Sequence, residues 1–357
     1  MNTVVKNPNS FIPYARFAHR ITQFGFISTS TFCSLLIYLT VFWLQRSFGS
    51  YKYLLIIFPS IGILFATVEL ILYPDLYSHN AGYLFYTPFR PFNLDRDMVT
   101  VLLSFYTGIY ACTISMLSVQ FLYRYWAVFD TTKLRYFKGW RFSICVLYSS
   151  VFGVLWALGL YYFDQMDEYS QQYMEKDLLE RYDLTFSEIS SLALVVYNAD
   201  GSLRWFNISC TFNMIAIMLF QYTVILYCAI WMYHGMEEKL RSLSSSTRKL
   251  HKQLFKTLVL QIVTPTISLF SPAVFIICLT FFDLKIDLPT GLSLCAFTIY
   301  PAMDAMIVMY VVADYKKAAK RILKKIVEKV YNWLDGSDDD DTTKEIKANI
   351  PAALKAL

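Results

Sequence analysis

Charge is scarce in this chain. Asp, Glu, Lys and Arg make up 17% of its 357 residues, against roughly 25% in soluble domains. The deficit lies in long stretches with almost no charge, and 56% of the residues are apolar. That pattern excludes one large water-soluble core and points to lipid as the solvent. Cysteine pairs are lacking too. Cys33, Cys112, Cys145, Cys210, Cys228, Cys278 and Cys295 all fall within or at the ends of apolar stretches, and none forms a C-x-x-C pair. They read as packed thiols rather than disulfides or metal ligands. His19, His79, His234 and His251 lie outside the apolar stretches, so a metal site or histidine proton relay inside a membrane has little to build on. There is no Walker loop, no G-x-S-x-G, no H-E-x-x-H and no nucleotide fingerprint. Enzymatic activity, a cofactor, a metal and a nucleic-acid partner are therefore not expected.

What is present is seven apolar stretches: Ile21–Leu44, Tyr53–Tyr73, Val99–Tyr123, Phe142–Phe163, Ile208–Tyr233, Leu254–Phe282 and Leu288–Ala313. Each reaches the roughly 20 residues that cross a hydrocarbon core. Over that span only a helix satisfies its own backbone in lipid. The expected fold class is an all-α membrane protein, a seven-transmembrane helix bundle occupying residues 21–313. Residues 1–20 form a polar N-terminus. No small-residue cleavage site follows the first apolar run, so span one reads as an uncleaved anchor.

Lys and Arg gather in cytoplasmic loops. The loops after spans one, three and five, with the C-terminal segment, hold 23 of the 32. This places the N-terminus outside and the C-terminus inside. Span one alone votes the other way, with Lys6, Arg16 and Arg20 before it and only Arg46 and Lys52 after it. The loop Asp164–Asn207 then faces outward and carries nine acids against three bases. It reads as a solvated, partly helical loop; a negative vestibule that draws in cations is the sharper alternative. The sequon at Asn207 sits at the membrane edge, a poor place for glycosylation. Residues 314–334 place Ile322, Leu323, Ile326, Val330 and Trp333 on one helical stripe with lysines opposite. This reads as an amphipathic helix on the inner leaflet, a calmodulin-type partner helix being the alternative. Residues 335–357 read as a flexible tail.

Few polar groups interrupt the spans. Arg124 ends span three, and Gln120, Thr113, Tyr110 and Tyr106 share its helical face. Such a face looks into a bundle, so a polar latch stands beside ordinary snorkelling as a reading of Arg124. Glu69, near the outer end of span two, reads equally as an interfacial carboxylate or as a group facing a pocket. Asp304 lies deep in span seven beside Pro301. Facing lipid there would cost about 2.5–3.5 kcal/mol on insertion scales, so it is expected to face the bundle. Pro265 and Pro272 are expected to kink span six into a hinge, and Lys252 and Lys256 at its inner end would move with it.

Several stretches resemble one family. They are "GSYKYLLIIF" with "VELILYP", "FLYRYWAV", "HKQLFKTLVLQIVTPTISLFSPAVF" with "FFDL", and "YPAMDAMIVMYVVADYKKA", in this order from Gly49 to about Ala319. The chain is similar in these to the nematode serpentine chemoreceptors of the Str group. The resemblance implies a receptor of the G-protein-coupled type with its N-terminus outside, coupled to a heterotrimeric G protein, in the plasma membrane of a sensory cilium. Tyr123–Tyr125 stands at the place of the rhodopsin-like D-R-Y, without its acid, and Tyr300–Asp304 at the place of N-P-x-x-Y. The loop Asp164–Asn207 lacks the cysteine for the disulfide usual in rhodopsin-like receptors.

The function expected is a chemosensory receptor for a small, volatile, weakly polar ligand. Glu69, Tyr106, Tyr110, Thr113, Asn213, Phe275, Ser293 and Phe297 are the expected pocket lining. Arg124, Pro265, Pro272, Pro301 and Asp304 are the expected switch, and Arg124, Tyr125, Lys252 and Lys256 the expected G-protein contacts. Two other classes stand as alternatives: an odorant-gated channel subunit with inverted topology, which the charges around span one favour, and a transporter, which the lack of inverted halves disfavours.

Overall fold

The computed structural model describes residues 10–43, 49–240, 259–282 and 287–318, with single positions 245, 248, 320, 321 and 324. Among the described residues, seven helices are long and apolar enough to cross a membrane: Ile12–Trp43, Tyr51–Leu72, Arg96–Phe129, Gly139–Phe163, Trp205–Gly235, Val259–Phe281 and Gly291–Val311. Each coincides with one apolar stretch of the sequence. Span one begins earlier than its hydropathy suggests, because the helix starts at Ile12 with Pro13 in its first turn, where a missing N–H costs nothing. Asp95 caps span three by accepting from the Met98 N–H at 3.1 Å. Span two stops at Tyr73 in the left-handed conformation, just before Pro74.

Span three runs through the middle of the bundle, against spans two, four and five, while span one packs on spans two and seven. Small residues allow the close approaches. A Cβ on Gly62 of span two would stand 2.5 Å from Pro301 Cβ. Between spans three and four, a Cβ on Gly108 would stand 2.8 Å from the Gly153 carbonyl oxygen. Lipid gives no hydrophobic drive between helices, so such contacts carry the association.

Span six is not one regular helix. A π-helical turn, Thr266–Phe270, follows Pro265, and a new α-helix, Ser271–Phe281, starts with Pro272 in its first turn. The two prolines expected to kink the span therefore bracket an inserted turn, whose extra residue rotates everything beyond it. Span seven keeps Pro301 inside Gly291–Val311.

Hydropathy did not anticipate a sheet. Strands β1 (Asp75–His79), β2 (Gly82–Thr87), β3 (Ser190–Val195) and β4 (Asp287–Leu288) form one antiparallel sheet in the order β3-β2-β1-β4. They come from the three loops at one end of the bundle. The side chains alternate as a strand requires. Leu76, Tyr83, Phe85, Leu192 and Leu194 join the core of the bundle. Tyr77, Leu84, Tyr86, Ala193 and Val195 join a second core with Met174, Leu178 and Tyr182. Those three belong to the loop helix Glu168–Tyr182. The loop Asp164–Asn207 is thus not merely solvated. It folds over the sheet, and Arg204 clamps the Asp167 cap of the loop helix.

Asn207 is 6% exposed and its amide donates to the Phe163 carbonyl at 2.9 Å, so the sequon is buried as well as edge-bound. All seven cysteines are free thiols. Helical backbone resumes after Val312 and is described through Ala318. Most of the amphipathic segment 314–334, the tail 335–357, and the residues before Ser10 lie outside the described residues.

Candidate functional site

A cavity of about 100 Å³ lies directly beneath the sheet. Its roof is Leu76, Tyr83 and Phe85 of the β1–β2 hairpin. Its walls include Tyr106 and Tyr110 of span three, Trp156 of span four, Met214 of span five, Ile276 of span six and Phe297 of span seven. Almost every lining group is apolar or aromatic. A cavity of this size and character suits a ligand of few atoms, oriented by few polar groups.

Of the eight residues expected to line the pocket, Tyr106, Tyr110 and Phe297 are on its wall. The other five are elsewhere. Phe275 is 50% exposed on the outer face of span six. The π turn shifts the helical phase, so that Ala273, Ile276 and Ile277 face inward instead. Asn213 donates to the Leu155 carbonyl at 3.0 Å and so braces span five against span four. Thr113 bonds the Ile109 carbonyl of its own helix at 3.0 Å. Ser293 is half-buried near the start of span seven, away from the wall.

Glu69 is neither interfacial nor on the wall. It is 1% exposed. Its carboxylate accepts from Thr22 at 3.1 Å and from the Tyr106 hydroxyl at 2.9 Å. Span one closes over it, which the sequence of span two alone could not reveal. Glu69 therefore holds the back of Tyr106, whose ring stacks on Phe65 at 4.7 Å and faces the cavity.

Tyr110 links the cavity to span six. Its ring packs on Phe297 at 4.8 Å and on Trp156 at 5.5 Å. Its hydroxyl donates to the Leu269 carbonyl at 3.0 Å, inside the π turn. Roof residues such as Leu76, Tyr83 and Phe85, and Trp156 and Met214 on the walls, were not foreseen. Only the alternation of apolar and polar-capable residues in "DLYSHNAGYLFYT" hinted at a hairpin.

Two buried carboxyls fix the cap at the roof's edge. Asp164 accepts from the Tyr83 hydroxyl at 2.5 Å, and burial pushes its carboxyl up to about 7. Asp75 accepts from the Leu76 N–H at 2.8 Å and the Tyr86 hydroxyl at 3.4 Å, and burial pushes it up to about 6.

A second polar cluster sits toward the opposite end. Arg124 is 6% exposed. Its Nε donates to the Tyr51 hydroxyl at 2.9 Å, and the guanidinium lies 5.2 Å from the Tyr51 ring centroid. It points into the bundle, not along the interface. Asp304 is 3% exposed and accepts from Gln261 Nε2 of span six at 2.6 Å. Gln261 was missed, although a lone amide one turn before Pro265 in an otherwise apolar run was the available signal. Beside Pro301, the Cys33 thiol approaches the Pro301 carbonyl at 3.5 Å. Tyr125 is half-buried, 5.0 Å from the Phe129 ring and 5.9 Å from that of Tyr227. Lys252 and Lys256 lie outside the described residues. Among the described residues no group of His, Cys, Asp and Glu is arranged to hold a metal.

Seven membrane-length helices, a small cavity under one end and buried polar pairs joining spans two to three and six to seven near the other define a receptor bundle of the G-protein-coupled type. The chain is similar in fold to squid rhodopsin, with a TM-score of 0.51 and 12% identity, covering 95% of this chain and 91% of that one. Residues 18–320 match the family described as serpentine type 7TM GPCR chemoreceptor Str, and the chain belongs to that family. It is 32% identical over 304 residues to G-protein coupled receptor str-33 of Caenorhabditis elegans, spanning 84% of this chain and 88% of that protein. It is 27% identical to serpentine receptor class r-10 of the same nematode, spanning 90% and 93%. The family is one of receptors.

Proposed function

We propose that the chain is a chemosensory receptor of the plasma membrane, in a sensory cilium. The cavity beneath the sheet takes a small, weakly polar, volatile ligand, and a heterotrimeric G protein is engaged at the Arg124 end. Tyr110 carries this reading: it lines the cavity and also holds the π turn of span six. The same span carries Gln261, bonded to Asp304. A ligand that displaces the Tyr110 ring therefore acts on both ends of one hinged element. It shifts the equilibrium only by its differential affinity for the two arrangements. The activation switch comprises Arg124, Pro265, Pro272, Pro301 and Asp304, with Gln261 added. Arg124, Tyr125, Lys252 and Lys256 remain the proposed G-protein contacts.

The sheet end is assigned to the outside. The loops at the other end, with the C-terminal segment, carry 23 of the 32 Lys and Arg residues, as cytoplasmic loops do. Tags at both ends, read on unpermeabilised cells, test this, and an exposed C-terminal tag overturns it. The function is tested by nucleotide exchange on a co-reconstituted G protein across a panel of volatiles. Ligand-dependent exchange that Arg124→Ala abolishes, with surface delivery intact, is the expected result. Exchange that survives Arg124→Ala unchanged overturns the role given to Arg124.

A further inference from the structure

A larger cavity lies outside the ligand site. It is a groove of about 710 Å³ between spans three, four and five, at the end away from the sheet. Trp126, Tyr136, Ile144, Tyr148, Phe220 and Val224 are among its walls. Ile144 and Phe220 are 48% and 50% exposed, so the groove opens sideways toward lipid. Two of its polar wall groups are already committed. Ser118 and Tyr148 both direct their hydroxyls to Gln221 Oε1, at 2.6 and 2.8 Å. The interior therefore rewards hydrocarbon.

The mouth of the groove has the opposite character. The 3₁₀ segments Thr131–Phe137 and Gly139–Phe142, with Lys138 between them, carry Lys133, Arg135 and Arg141; all four cations are exposed, with Asp130 as the nearby acid. Two of these cations rest on the groove's own aromatic wall. Lys133 Nζ lies 5.6 Å from the Trp126 ring centroid and 3.3 Å from Asp130. The Arg135 guanidinium lies 5.1 Å from the Tyr136 ring centroid. Cation–π contacts of this kind hold the charges at the rim. Trp140, 79% exposed, stands beside them where an interfacial anchor belongs.

We propose that this groove is a lipid site: one acyl chain of an anionic phospholipid lies between spans three, four and five, with its phosphate at Lys133 and Arg135. The inference rests on the groove and its rim, and is independent of the ligand and G protein proposed above. An apolar slot open to the bilayer and edged by cations matches an anionic lipid at both ends. A zwitterionic lipid brings the same phosphate but with its own ammonium beside it, so its net attraction to the rim is weaker.

The test uses the full chain in nanodiscs of equal phosphatidylserine and phosphatidylcholine. The protein is then released into mild detergent for native mass spectrometry. One retained phosphatidylserine, enriched about tenfold over phosphatidylcholine, is expected from two cations at the rim. Lys133→Gln with Arg135→Gln, both exposed and safe for folding, should bring the two lipids to parity while one lipid stays bound. Val224→Trp, which fills the slot, should lose both. Equal retention of the two lipids by the unmodified chain overturns the proposal. So does undiminished selectivity in the double variant, or displacement of the phospholipid by an added sterol.

Discussion

Gln261 Nε2 of span six stands 2.6 Å from Asp304 Oδ1 of span seven, with both residues buried. This hydrogen bond ties the inner part of a π-interrupted helix to one that carries a proline within it. Removing the donor leaves a buried carboxylate less satisfied, at about 1–3 kcal/mol. That cost falls on whichever state contains the bond. We take the bonded arrangement as the resting one, so Gln261→Ala should raise ligand-free nucleotide exchange, by about tenfold for each 1.4 kcal/mol. Asp304→Asn keeps a polar partner for Gln261, so a smaller change in basal exchange and a shifted dose–response curve are expected. Unaltered curves in both variants would return the pair to a purely structural role.

Tyr110 should separate binding from response. Tyr110→Phe keeps the ring against Phe297 and Trp156 but removes the bond to the Leu269 carbonyl. Ligand should still bind, measured by competition, while the maximal evoked exchange falls. Loss of binding and response in parallel would mean that the hydroxyl serves the ligand rather than the hinge.

Tyr106 and Phe275 should differ sharply, although sequence treated them alike. Tyr106→Phe removes a hydroxyl donor to the buried Glu69 carboxylate, and about 1–3 kcal/mol of stability should go with it. Phe275→Ala acts on a half-exposed ring facing lipid and should leave both melting temperature and ligand potency close to unchanged. A large effect of Phe275→Ala on potency would put that ring back in the pocket.

The contrast shows where sequence reading works here. Hydropathy located all seven spans because length and charge-free composition are what lipid demands. Helical periodicity found Tyr106 and Tyr110, since span three is regular and fixes its own phase. It failed at Phe275 because the π turn at Thr266–Phe270 breaks the count within span six. Glu69 was half legible: its cost in lipid marked it, but Thr22 and Tyr106 come from other spans. Asp304 was expected to face the bundle, yet its partner required knowing how span six turns. The sheet was legible only as a hint of its β1–β2 hairpin, because its strands are short and lie in three separate loops. Each strand is stable only once the others are beside it.

The cap formed by that sheet should be stabilised by acid. Asp164 and Asp75 are buried, and burial raises their carboxyls from 3.8 to about 7 and about 6. A carboxyl raised in the folded state is favoured there in its protonated form. Its contribution is fully present below pH 4, declines as the pH rises, and is gone once the pH passes the folded value. Lowering the pH from 8 to 5 should therefore raise the melting temperature of the purified receptor, by an amount set by about 3 kcal/mol per group at most. Asp164→Asn with Asp75→Asn is neutral at every pH and retains acceptors for Tyr83, Tyr86 and the Leu76 N–H. The double variant should melt at nearly the same temperature at pH 5 and pH 8. A pH slope equal to that of the unmodified chain would show that neither carboxyl changes protonation on folding. The roof over the cavity would then owe its pH response to other groups.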